Sequence, residues 1–167
     1  MPRITAQHLA RAIETLRTMT MERKTALADD VFQQQPTLFG SFLVLTRFGV
    51  SFEKMEFLLE RLFVCFLAMR QSGIQWPRIT EDELDKQAAR FSATVSFADG
   101  MGPALAGQSL SEYTTGHPEP HLLAYVTTEM TQWLATVQPE ESDKYVMLAA
   151  MNIVNCIAHV PLHVVSR

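Results

Sequence analysis

The sequence predicts an all-α protein of about eight helices, arranged as two sequence-related four-helix halves packed around a shared core. Three observations lead there. Only seven glycines occur in 167 residues, and long stretches pass without Gly or Pro, which favours helices over a turn-rich sheet. Apolar residues make up 47% of the chain and charged residues 19%, enough to bury a core and too apolar for a disordered chain. The chain also echoes itself: Pro2-Arg3-Ile4-Thr5 recurs as Pro77-Arg78-Ile79-Thr80.

The first helix is expected over 6–20, where Leu9, Ile13 and Leu16 fall at i, i+4 and i+7 on one helical face. A second is expected over 22–34, a run free of Gly and Pro. Pro36 suits the start of a third, over 37–48, because the first helical position needs no N–H donor. Ser51 offers an N-cap for a fourth over 52–72, and Gly73 stands where a left-handed residue stops it.

Thr80-Glu81-Asp82-Glu83 reads as a capping box for a fifth helix over 81–97. Its Leu84, Ala88 and Phe91 repeat the Leu9, Ile13, Leu16 stripe at the offset separating the two Pro-Arg-Ile-Thr copies. A sixth helix over 104–115 is closed by Gly116. Pro120-His121-Leu122-Leu123 resembles Pro36-Thr37-Leu38-Phe39 and opens a seventh helix over 120–136. The eighth, over 142–160, ends before Pro161.

The echo divides the chain into halves 1–76 and 77–167 of one globular unit. Met55–Met69 aligns with Val146–Val160, which sets Cys65 opposite Cys156. The second half carries extra residues near Asp99-Gly100-Met101-Gly102-Pro103 and Gln138–Ser142, where loops tolerate them. Phe57–Met69 is apolar except for Glu60 and Arg61, and Met147–Ala158 is apolar except for Asn152 and Asn155. These two segments are predicted to pack together near a pseudo-twofold axis, with both asparagines in need of partners.

Charge narrows the function classes. The net charge of −4 disfavours nucleic acid. It is unevenly spread: ten Lys/Arg and seven Asp/Glu in 1–80, against four and eleven in 81–167, giving +3 and −7. Such a polar chain suits electrostatic attraction of a second copy or of its own other half, beside the plainer reading of ordinary solvated faces. No apolar leader follows Met1, and the longest apolar run, Leu62–Met69, is too short to span a bilayer, so a cytoplasmic protein is expected. Two cysteines in apolar runs fit small buried hydrophobes.

No catalytic motif stands out. His117, Glu119 and His121 place two imidazoles and a carboxylate within five residues; zinc takes four ligands in a closed site or three in an open one, but Pro118 and Pro120 do not ensure that these side chains converge, and no cysteine lies near. That loop is the weak metal or acid–base candidate; no cofactor is expected. Gly49-Val50-Ser51 between two helices resembles a helix-turn-helix turn, but the second helix opens acidic and apolar. No Gly-x-Ser-x-Gly elbow and no phosphate loop occur. Phe57, Phe63, Phe66, Trp133 and Met151 are the candidates for an apolar pocket or interface. The expectation is a non-enzymatic interaction or regulatory module that binds a protein partner or itself, with an apolar small-molecule binder as the alternative and an enzyme with its site between the halves as a third reading.

Overall fold

The computed structural model describes residues 2–99 and 115–164. Among them are seven α-helices: α1 (Ala6–Thr18), α2 (Met21–Gln34), α3 (Pro36–Leu43), α4 (Phe52–Gln71), α5 (Glu81–Asp99), α6 (Pro120–Leu134) and α7 (Asp143–Ala158). A 3₁₀ helix, Val44–Phe48, follows α3. The chain is mostly helical, as its apolar spacing predicts. The helix expected over 104–115, the Gly-rich stretch 100–103 and Gly107–Ser109 lie outside the described residues.

Capping chemistry sets the helix ends. Thr5 accepts from the N–H of His8, and the His8 ring accepts from Thr5 in return. Thr80 accepts from Glu83 N–H, while the Glu83 carboxylate takes the Gln87 amide instead of reaching back. Where 6–20 was expected as one helix, Met19 is extended and Thr20 turns outward to cap α2 by accepting from Arg23. The helix expected over 37–48 tightens into 3₁₀ geometry at Val44, a common way for a helix to end. Gly49 closes it at φ 88, and Gly73 closes α4 at φ 73, both in the left-handed region that glycine enters without strain. Gly116 is not among the described glycines of positive φ, and the segment it was expected to close lies outside the described residues.

Two short strands were not expected. β1 (Ile74–Gln75) pairs antiparallel with β2 (His163–Val164), so the tail beyond Pro161 is tied to the turn after α4.

The core is one cluster. In α4 the run Val64–Met69 is wholly buried, and so is Ala149–Ala158 in α7. These two helices pack against each other, α1 packs on α4, and α5 packs on α7. Asn155 Oδ1 meets His117 Nε2 at 3.2 Å. Asn152 Oδ1 is buried with no hydrogen-bond partner among the described residues; such a group costs about 1–3 kcal/mol.

The two Pro-Arg-Ile-Thr segments make matching contacts. Ile4 donates its main-chain N–H to Glu119 Oε2 at 3.1 Å, and Ile79 donates its N–H to Gln35 Oε1 at 2.9 Å. Gln35 and Glu119 each precede the proline that opens α3 or α6, both are fully buried, and their backbones agree at φ/ψ of −131/60 and −125/70. Each segment is thus met by a buried side chain far along the sequence, 115 residues away for Ile4 and 44 for Ile79.

Candidate interaction surface

The turn from α3 to α4 and its two flanks carry four of the seven large apolar side chains that are exposed among the described residues. Leu43, Val44, Phe48 and Phe52 are 42%, 40%, 55% and 68% exposed. In a 3₁₀ helix residues three apart eclipse, so Val44 and Arg47 share one side, while Leu45 turns inward and is buried. The Gly49 N–H bonds back to Leu45 and Thr46, Val50 N–H bonds to Leu45, and Ser51 caps α4 by accepting from Lys54. Ser142 donates to the Gly49 carbonyl at 3.1 Å, and Phe48 lies against Tyr145 at 5.4 Å. The turn is thus bound to the N-terminus of α7 and presents its apolar side chains on a fixed backbone.

Val44 also lines a neighbouring groove of about 590 Å³ between α3 and α5. One wall is Pro36, Thr37, Gly40, Ser41 and Val44; the other is Glu81, Leu84 and Asp85. A Cβ placed on Gly40 would meet nothing within 4 Å. Glu81 and Asp85 stand one helical turn apart, both exposed, and neither makes an ion pair among the described residues. At the positions related by the sequence echo, α1 packs directly on α6, with Ala124 and Tyr125 where α3 has Gly40 and Ser41.

The loop singled out for its histidines is put to a different use. His117 is buried, and its Nδ1 accepts the Glu119 main-chain N–H at 3.0 Å. The ring proton therefore sits on Nε2, facing Asn155. The Glu119 carboxylate is occupied by Arg3: it takes Nε at 2.9 Å and the main-chain N–H of Arg3 at 3.2 Å, besides that of Ile4. Arg3 goes on to the carbonyls of Ile157, Ala158 and Val160 at the end of α7, where a cation suits the helix dipole. His121 is exposed on α6, away from this network. His159 approaches His117 with ring centroids 5.7 Å apart. Burial holds its pKa below the ordinary value, helped by Arg90, His117 and Arg3 and opposed by Glu83. Among the described residues no group of three or more His, Cys, Asp or Glu side chains is placed to hold a metal ion.

The five apolar candidates separate into different surroundings. Phe57 and Trp133 do meet, stacked at 4.2 Å and 9°, and the Arg61 guanidinium lies 4.3 Å over Phe57. Phe63 tilts against Phe39 at 6.3 Å. Phe66 is buried and lines a cavity of about 510 Å³ with Met69, Ile74 and Trp76, while Met151 is packed in the core.

Lys54 is a feature that apolar patterning conceals. It sits at the start of α4 with 3% of its side chain exposed, and its ammonium meets Asp143 Oδ1 at 2.6 Å, Glu140 Oε1 at 2.9 Å and the Gln138 carbonyl at 2.9 Å. Burial works against its charge, but the hydrogen bonds and charges of Asp143 and Glu140 outweigh it and raise the Lys54 pKa. The acidic turn Gln138–Ser142 is thereby engaged in holding two helices together. Cys65 and Cys156 are free and buried, and burial pushes both thiols up to about 12, which leaves them unreactive at neutral pH.

No helix of the described residues is long and apolar enough to cross a membrane. No family model, curated protein or solved structure matches the chain.

Proposed function

We propose that this chain is a non-enzymatic helical interaction module that pairs with a second copy of itself through Leu43, Val44, Phe48 and Phe52. The observation that carries the reading is their exposure of 40–68% on and beside a turn whose backbone is tied to the start of α7 at Gly49. Covering such side chains contributes roughly 25 cal/mol per Å² of apolar surface. A second copy is the occupant that charge favours. The turn carries Arg47, and acidic Glu53, Glu56, Glu81 and Asp85 flank it. A twofold arrangement sets the cation of each copy against acids of the other. The non-enzymatic reading draws support from the fate of the acid–base loop: Glu119 is bound to Arg3, and His117 is buried.

The test is sedimentation velocity across a dilution series up to about 100 µM, where micromolar pairing is visible. Dimerisation that Phe48→Asp and Phe52→Asp remove, with the helical circular dichroism unchanged, is the expected result. A strictly monomeric wild type overturns the reading. The alternative, a binder of apolar small molecules, draws on the cavity beside Phe66, Met69 and Trp76. It gains ground if the monomer's tryptophan emission shifts with an apolar additive.

We also infer that residues 1–76 and 77–167 descend from one duplicated helical unit. The crossed Ile4–Glu119 and Ile79–Gln35 contacts support this, as do the matching backbone angles of Gln35 and Glu119. Two free buried thiols suit the reducing cytoplasm.

A further inference from the structure

We propose that the groove between α3 and α5 is the receptor for Arg47 of the second copy. This rests on the self-pairing reading above and names the polar contact that fixes its register. Four observations converge. The groove has two unpaired carboxylates, Glu81 and Asp85, on one side, and apolar Pro36, Val44 and Leu84 around them. Gly40 leaves its floor open, since even a Cβ there meets nothing within 4 Å. Val44 belongs to both the apolar turn and the groove, so the two form one continuous surface. Arg47 is exposed, makes no ion pair among the described residues, and eclipses Val44 in the 3₁₀ helix.

An arginine is the side chain this geometry fits. Its three-carbon stem packs on Val44 and Leu84 while the guanidinium reaches two carboxylates one helical turn apart. Val44 lines the groove and precedes Arg47 by one 3₁₀ turn, so a twofold axis near Val44 would bring each copy's Arg47 to the other's groove. The contact is then made twice per dimer. The echo-related site on the other side of the molecule needs no such guest, since Ala124 and Tyr125 stand there and α1 packs on α6 directly.

The test is a charge-exchange pair. Arg47→Glu alone and Glu81→Lys/Asp85→Lys alone each place like charges together twice per homodimer. Both should dissociate at concentrations on the order of tenfold higher than the wild type or more. Mixing the two variants restores opposite charges at both contacts, so a heterodimer of about wild-type stability should appear by sedimentation or by native mass spectrometry of unequally labelled chains. That recovery also shows that both variants are folded. A wild-type dimer whose variants pair as well as the parent, or whose mixture gives no preferred heterodimer, overturns the assignment and leaves the apolar self-pairing standing. A monomeric wild type removes both.

Discussion

Arg3 holds the buried Glu119 carboxylate at 2.9 Å across 116 residues of sequence. The arginine keeps 35% of its side chain in solvent, while the glutamate keeps 1%. The acid is therefore the member of the pair that cannot fall back on water.

Arg3→Ala leaves a carboxylate buried without its countercharge and should cost about 3 kcal/mol in urea unfolding. The double variant Arg3→Ala/Glu119→Gln should recover more than half of that loss. A glutamine at 119 still accepts from Ile4 N–H, as Gln35 already does for Ile79. A double variant no more stable than Arg3→Ala would show that the charge is not what the arginine serves.

The cluster at Lys54 should respond asymmetrically. Glu140 and Asp143 keep 39% and 23% of their side chains exposed, so Lys54→Met leaves them able to hydrate and should cost about 1 kcal/mol. Removing both acids by Glu140→Gln and Asp143→Asn strands an ammonium that is 3% exposed and should cost about 3 kcal/mol. Chemical denaturation of the two variants side by side measures the ratio; equal losses would contradict the burial argument. The raised Lys54 pKa adds stability that is complete below its ordinary value of 10.5 and disappears as pH climbs through the folded value.

His159 sets the opposite slope. Its folded pKa lies below the ordinary 6.5, so the unfolded chain binds the proton more readily. Stability should fall as pH drops through 6.5 toward the folded value and level off below it. His159→Asn should flatten that part of the profile in thermal melts between about pH 7.5 and 5. An unchanged slope in the variant would assign the effect to another group.

Helix existence was legible from Leu9, Ile13 and Leu16, from Pro36 and Pro120, and from Thr80, because these signals act within a turn or two of the backbone. The burial of Ala149–Ala158, within the predicted segment Met147–Ala158, was legible for the same reason. Helix ends were less so: Thr20 reads as the tail of the first helix until its hydroxyl is seen capping the second. The candidate surface was legible only in part. No local signal in the sequence sets Phe48 and Phe52 apart from the buried phenylalanines; only the packed structure shows them 55% and 68% exposed. His117, Glu119 and His121 looked like a site by proximity in sequence, yet Pro118 and Pro120 leave His121 outside while Arg3 claims Glu119.

By itself the chain determined that it is helical, where most helices begin, and which two segments are apolar enough to be central. Those properties follow from capping, proline placement and periodicity, all of which are local. Tertiary structure alone decided which charges are paired, which phenylalanines face solvent, and that each Pro-Arg-Ile-Thr segment bonds to the residue before a helix-opening proline. Such outcomes depend on residues such as 3 and 119, or 54 and 143, which meet only after the helices have packed.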